Sequence, residues 1–111
     1  MGPIVLPLPG RVAELLGFTG KIKTYKNTSE GAGSTVLFSN ISSGMVFLIH
    51  HGGLGGRYNA MIFVKSQSEI SVHKYNAGSE SDYQSFTMSG GMLSIKNSGY
   101  GIGNFTAIFV G

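Results

Sequence analysis

Glycine clusters are the feature of this sequence that most limits how the chain can fold. Glycine supplies 18 of the 111 residues, more than twice its average share of about 7%. Glycine adopts positive φ without strain but weakens helices and strands from within. Clusters between short apolar segments therefore mark closely spaced turns and predict an all-β domain. These clusters are Gly31 with Gly33, then residues 52–56, 90–91 and 99–103.

The apolar periodicity between the glycine clusters predicts about eight short strands. Residues 21–27 and 69–75 alternate apolar with polar side chains, whereas residues 45–50 and 58–65 are continuous apolar runs. Alternation indicates a half-exposed strand, and a continuous run indicates a strand with two apolar faces. Antiparallel strands of this number and length predict a sandwich or jelly roll, with an up-and-down barrel as the alternative. The other expected strands cover 35–39, with Val36 and Phe38 on one face, 83–88, 92–96 and 105–110.

The first twenty residues differ from the rest of the chain. All three prolines fall within the first ten residues, which favours an extended, polyproline-like arm. Residues 11–18 contain good helix formers and a Gly17 stop, so they predict one short helix. No basic region precedes the apolar stretch, which predicts neither a signal peptide nor a membrane span. We expect arm and helix at 1–20 and a single β-sandwich domain at 21–111.

The continuous apolar strands predict contacts beyond one subunit. A sandwich strand normally has one apolar face, so residues 45–50 and 58–65 carry surplus apolar surface. Either the N-terminal arm or another subunit must cover it, and closed symmetric oligomers commonly do so. We expect a homo-oligomer, with a trimer preferred. The expected interface residues are Ile4, Val5, Leu6 and Leu8 in the arm, with Phe47 and Ile49 in the sheet.

Composition argues against several classes of function. The chain has no cysteine, so disulfides, Cys-based zinc sites and a thiol nucleophile are impossible. The formal charge of +3 includes a single local basic run at Lys21, Lys23 and Lys26. Nucleic-acid binding needs a wide basic stripe, because phosphate neutralisation supplies most of its affinity. We therefore expect no nucleic-acid partner.

The titratable side chains do not form a recognisable catalytic or metal site. His50 and His51 are adjacent, and neighbours on a strand point to opposite faces. His73 has no ligand-like spacing to either of them. Glu80 and Asp82 fit a solvated loop better than a glycosidase pair or a calcium site. We expect no catalytic residue, no metal and no cofactor, and hence a protein that is not an enzyme.

Two glycine-rich loops superficially resemble phosphate-binding loops. The loop at 52–57 ends in Arg57, and its backbone N–H groups could bind an anion. It lacks the Gly-Lys-Ser/Thr ending and the following helix of a phosphate loop. The loop at 99–103 precedes a strand, which excludes a dinucleotide-binding turn. Both loops are predicted to be hairpin turns.

Aromatic and amide side chains cluster in the predicted loops. Carbohydrate recognition places an aromatic ring against the C–H face of a sugar and amide or hydroxyl groups against its hydroxyls. Ordinary turn and rim chemistry is the alternative explanation of these residues. The candidate glycan-binding residues are Arg57, Tyr58, Asn59, Tyr75, Asn76, Tyr83 and Tyr100.

The chain is rich in glycine, serine and asparagine, contains no cysteine, and ends in the apolar strand Asn-Phe-Thr-Ala-Ile-Phe-Val-Gly at 104–111. In these features it resembles the distal modules of bacteriophage tail fibres and other small virion surface proteins. That resemblance implies a trimeric β structure that binds host-surface glycans or decorates the particle. We therefore expect a non-enzymatic structural or attachment module on a virion or extracellular surface, made in the cytoplasm. Its partners would be its own copies, surface glycans or neighbouring virion proteins. The alternatives are a soluble cellular lectin and a small β-barrel enzyme or ligand carrier.

Overall fold

The computed structural model describes residues 20–76 and 83–111. The expected arm and helix, with Ile4, Val5, Leu6 and Leu8, lie outside the described residues, as do Glu80 and Asp82. The described part is all-β, without an α-helix and so without a helix that could span a membrane. Its strands are β1 (Ile22–Asn27), β2 (Ser34–Phe38), β3 (Gly44–His50), β4 (Asn59–Val64), β5 (Ile70–Tyr75), β6 (Gln84–Ser89), β7 (Met92–Asn97) and β8 (Phe105–Val110).

The strands form two antiparallel sheets that pack face to face. The five-stranded sheet has the order β1-β8-β3-β4-β5, and the three-stranded sheet has the order β2-β7-β6. The predicted β-sandwich is confirmed. The alternative of an up-and-down barrel is wrong, because β1 pairs with β8 and β2 pairs with β7 in a different sheet.

Alternate residues of both sheets form the core between them. Val46, Ile62 and Phe105 of the large sheet, with Leu93 and Ile95 of the small one, have no exposed surface. This alternation follows from the two-residue period of a strand, which sends successive side chains to opposite faces. The apolar periodicity of the sequence therefore determines which residues enter the core.

β2 departs from the predicted alternation. Val36 is 39% exposed, while Leu37 and Phe38 are both buried. The register with β7 shifts between Val36 and Phe38, which is the signature of a bulge that re-aims side chains. The prediction that Val36 and Phe38 share one face is therefore wrong.

The side of the five-stranded sheet that points away from the core is strongly apolar, and we call it the outer face. In its middle row Ile108 pairs with Phe47, which pairs with Met61. The prediction that strands 45–50 and 58–65 carry apolar side chains on both faces is confirmed. The outer face comprises Ile22, Thr24 and Lys26 of β1, Thr106, Ile108 and Val110 of β8, Met45, Phe47 and Ile49 of β3, Asn59, Met61 and Phe63 of β4, and Ser71, His73 and Tyr75 of β5.

The corresponding side of the three-stranded sheet has the opposite chemistry. Ser85 pairs with Lys96 and Thr87 pairs with Ser94 across β6 and β7. These side chains are exposed, apart from the half-buried Ser94. One side of the sandwich thus presents hydroxyl groups to water, and the other presents large apolar side chains.

The two glycine-rich loops have different roles in the topology. The loop at 51–58 joins β3 to β4, which are antiparallel neighbours, so the predicted hairpin is confirmed there. The loop at 98–104 joins β7 of the small sheet to β8 of the large sheet. Its prediction as a hairpin turn is wrong, because it crosses from one sheet to the other.

Candidate functional site

The antiparallel order of the strands brings three glycine-bearing loops to one end of the sandwich, which we call the loop end. These are the loops at 28–33, 51–58 and 98–104. The amide of His51 donates to the carbonyl of Asn104 at 2.8 Å, and the amide of Ile102 donates to the carbonyl of Ala32 at 2.7 Å. The loops are therefore joined to one another by their backbones.

Arg57 fastens two of these loops together. Its guanidinium donates to the carbonyls of Gly101 at 3.1 Å, Tyr100 at 2.9 Å and Gly53 at 3.1 Å. A Cβ at Gly103 would lie 2.7 Å from Nε of Arg57, so only glycine leaves room for this arrangement. Arg57 is one of the predicted glycan-binding residues, and three of its five N–H donors bind the protein backbone.

Two buried asparagines hold the same loops from below. The side-chain nitrogen of Asn97 donates to the carbonyl of Gly56 at 2.8 Å. Its side-chain oxygen accepts from the backbone amides of Gly99 at 2.9 Å and Tyr100 at 2.8 Å. The Asn27 amide donates to the carbonyl of Gly103 at 2.6 Å. Both side chains are almost fully buried, where a hydrogen bond has little competition from water.

Tyr83 and Tyr100 form an exposed aromatic pair at the loop end, which we call the tyrosine pair. Their ring centroids are 5.3 Å apart and the rings are nearly perpendicular, at 89°. Tyr83 is 38% and Tyr100 49% exposed. The structure thus brings together two predicted candidates that are 17 residues apart in the numbering.

Each ring of the tyrosine pair lies directly on a glycine. A Cβ at Gly99 would come within 2.8 Å of the Tyr83 ring, and one at Gly56 would collide with Tyr100. Gly56 also has a φ of 71°, a left-handed conformation that glycine adopts without strain. The roles of Gly56, Gly99 and Asn97 were not predicted from the sequence. The run Asn-Ser-Gly-Tyr-Gly at 97–101 contains the signal, since glycines beside a tyrosine permit such close packing.

Tyr58 is the predicted site residue that the structure places elsewhere. It is only 3% exposed, and its ring meets Phe86 edge-on at 6.0 Å. Its carbonyl accepts from the Gln84 side chain at 2.9 Å. Tyr58 is therefore a core residue that joins the two sheets.

Asn59 and Tyr75 lie on the outer face, and Asn76 follows β5 directly, so all three are apart from the tyrosine pair. Asn59, Tyr75 and Asn76 line a concavity of about 470 Å³ together with the interface candidates Phe47 and Ile49. Amide groups and an aromatic ring thus border an apolar floor. The predicted glycan set is divided between two separate surfaces.

His50 is a buried titratable group between the sheets. Its Nε2 lies 2.8 Å from Oε1 of Gln84. Because the amide nitrogen of Gln84 must donate to the Tyr58 carbonyl, Oε1 is the acceptor and His50 Nε2 carries the proton. Nδ1 has no hydrogen-bond partner. Burial lowers the pKa of His50 below 6.5. The positive charges of Arg57 and His51 lower it further, while the hydrogen bond to Gln84 acts in the opposite direction.

The other histidines are separate from His50. His51 lies 2.7 Å from the hydroxyl of Thr106, and the His73 ring meets Phe63 edge-on. Within residues 20–76 and 83–111 no group of three histidine or carboxylate side chains is arranged to hold a metal ion. The described arrangement therefore offers aromatic and hydrogen-bonding contacts to a ligand.

Comparisons of the chain with protein families, with curated proteins and with solved structures found no match. The functional interpretation therefore depends on the loop end and the outer face themselves. Both surfaces are built from residues that the structure describes.

Proposed function

We propose that this protein is a non-enzymatic structural or attachment module of the virion type, whose loop end binds a neutral glycan on a surface. The observation that carries the proposal is the exposed tyrosine pair on its two glycines. The Tyr100 backbone is bound by Asn97 and Arg57, and the Tyr83 carbonyl accepts from the amide of Ser98, so the backbone that carries each exposed ring is fixed. Exposed aromatic side chains held in fixed positions are suited to pack against a ligand.

A sugar ring fits the chemistry of the tyrosine pair. The face of a pyranose ring carries C–H groups that pack on an aromatic ring, while its hydroxyls need hydrogen-bond partners. Tyrosine supplies both, since its ring is apolar and its hydroxyl can donate or accept. The perpendicular rings of Tyr83 and Tyr100 present one face and one edge beside each other.

The ligand that fits this site is neutral. Arg57, the cation nearest in sequence to Gly56, directs its guanidinium at three backbone carbonyls. Those carbonyls take up three of its five N–H donors and fix its orientation towards the loops, which disfavours a bidentate contact to a phosphate or carboxylate. Ring stacking and hydroxyl contacts thus remain as the means of recognition.

The fixed loops would reduce the entropic cost of binding. Ordering a mobile side chain at an interface costs about 0.5–1.5 kcal/mol. Here the amides of Gly99 and Tyr100 are already bound to Asn97. A preorganised aromatic surface loses less conformational freedom when a ligand binds.

A glycan array tests this proposal. The full chain should bind one or more neutral glycans, and Tyr83→Ala or Tyr100→Ala should weaken binding about two- to tenfold, since an aromatic contact contributes about 0.5–1.5 kcal/mol. Met92→Ala is the matched control, because Met92 is 45% exposed on the small sheet. Absence of binding to any neutral glycan, or equal loss in the control, would contradict the proposal.

A soluble lectin of cellular origin could use the same tyrosine pair. The two functions differ in biological context rather than in chemistry at the loop end. Genes for virion assembly next to the gene for this protein would support the virion module, and their absence would favour the lectin.

A further inference from the structure

We infer that the outer face of the five-stranded sheet is the interface through which copies of this chain assemble. The inference is independent of the glycan proposal, since it concerns a face and not the loop end. Its basis is an exposed apolar surface at the centre of a sheet. Phe47 and Ile108 are each 39% exposed and Ile49 is 55% exposed.

The apolar side chains on this face are contiguous. Ile22 of β1 pairs with Val110 of β8, and Val110 pairs on its other side with Met45 of β3. Met45 in turn pairs with Phe63, so one row of four apolar residues crosses four strands. Contiguous apolar surface of this kind marks an interaction site, whereas single exposed apolar residues do not.

The opposite side of the same sandwich lacks a contiguous apolar surface. Ser85, Thr87 and Ser89 occupy the exposed positions of β6. Val36 and Met92 are also exposed on that side, but each pairs with a serine, Ser94 and Ser89 respectively. Such hydroxyl-bearing residues are suited to a sheet face in contact with water. The contiguous apolar surface is therefore confined to the outer face of the five-stranded sheet.

The size of the outer face suits assembly with a copy of itself. Five strands spaced by about 4.8 Å, each roughly 20 Å long, present roughly 400 Å² in projection. Two such faces, with the relief of their side chains, bury on the order of 1,000 Å² in total, which is the lower end for a specific interface. Obligate homomeric interfaces are also the most apolar class.

The charge distribution favours a second copy over a charged partner. The centre of the outer face carries no charged side chain. Lys26 lies on β1, His73 and Tyr75 lie on β5, and His51 contacts Thr106 at the loop end of β8. A self-complementary contact places this apolar centre against its own copy and leaves Lys26 at the rim. No central charge is left to be neutralised by a different protein.

Light scattering on the full chain, with Ile49→Lys and Val36→Lys, tests the inference. The wild type should have a mass of at least two copies of the 11.7 kDa chain. A lysine at position 49 should raise the dissociation constant about a hundredfold or more, because a buried unpaired charge is strongly unfavourable. Val36→Lys changes an exposed residue of the other sheet and should leave the mass unchanged. Matching circular dichroism spectra establish that the variants are folded.

A thiol probe distinguishes the other possible coverings of the face. The chain has no native cysteine, so Ile49→Cys and Val36→Cys each carry one thiol. Slow alkylation at position 49 and fast alkylation at position 36, in an oligomer, support the inference. A monomer with a protected position 49 would assign the cover to the chain's own residues 1–19. A monomer that reacts equally at both positions would leave the face uncovered. Either monomeric result, or an oligomer unaffected by Ile49→Lys, overturns the inference.

Discussion

Acidification should destabilise the sandwich through His50, the buried histidine that joins the two sheets. In the folded state its Nε2 proton is donated to Gln84, while Nδ1 is buried without a partner. A second proton on Nδ1 would therefore create a buried charge and an unsatisfied donor. The unfolded chain pays neither cost, since water solvates the imidazolium.

The sign of the effect follows from the direction of the pKa change. Burial lowers the folded-state pKa of His50 below the ordinary value of 6.5. Above pH 6.5 both states are neutral and the full stability is present. As the pH falls from 6.5 towards the folded-state pKa, only the unfolded state gains a proton, and stability is lost. Below the folded-state pKa no further loss comes from His50.

Proton linkage sets the steepest slope of this loss. One proton taken up only by the unfolded state lowers the free energy of unfolding by about 1.4 kcal/mol per pH unit, or tenfold in the equilibrium constant. With His50 only 8% exposed, relief by partial hydration is small. A loss of one such unit is a substantial part of the 5–15 kcal/mol that is typical of a domain.

Urea unfolding at a series of pH values from about 8 to about 5 measures this loss, within the range where histidine titrates. His50→Gln removes the titrating group, so its free energy of unfolding should vary less with pH than that of the wild type. His73→Gln is the matched control, because His73 is exposed. Equal pH slopes for the wild type and His50→Gln would refute the reasoning.

Three other substitutions, two of them paired with a control variant, test the loop end and the core. Gly56→Ala should destabilise the protein by more than about 1 kcal/mol, because its φ is 71°, while Gly55→Ala, with open space around it, should be neutral or stabilising in thermal unfolding. Leu48→Ala should cost about 2–5 kcal/mol in urea unfolding, since Leu48 is buried, and Val36→Ala should cost much less. Arg57→Lys should speed hydrogen exchange in the loop at 98–104 without changing exchange in β3, since it loses the forked contacts to backbone carbonyls; unchanged exchange would contradict that role.

The strands of this fold were predictable from the sequence, because a two-residue period and glycine clusters are local signals. The strand expected at 105–110 is β8, and the strand expected at 45–50 extends by one residue to Gly44. The two-faced character of β3 and β4 was also predictable. Their outward Phe47 and Met61 follow directly from the unbroken apolar runs.

The pairing of strands was less predictable, because it depends on contacts between distant parts of the chain. Nothing local distinguishes the hairpin at 51–58 from the sheet-to-sheet crossing at 98–104, since both are rich in glycine. The bulge next to Val36 could not be predicted either, because a strand with one extra residue has the same kinds of side chain as a regular strand.

The candidate site was predictable in composition but not in arrangement. Tyr58 has the same sequence character as Tyr83 and Tyr100, yet it is buried. Arg57 resembled a ligand-binding cation, and only the positions of three carbonyls show its structural use. Such roles depend on geometry that a single sequence does not record.

The central claim is that the loop end recognises the ligand. Its most direct test is chemical-shift mapping by NMR, in which a glycan that binds on the array is titrated into the full chain. The account predicts that the amides of Tyr83, Gly99 and Tyr100 shift, while those of β6 and β7 at the Met92 end do not. Shifts confined to the concavity around Phe47 and Tyr75 would contradict it, because recognition would then lie on the outer face.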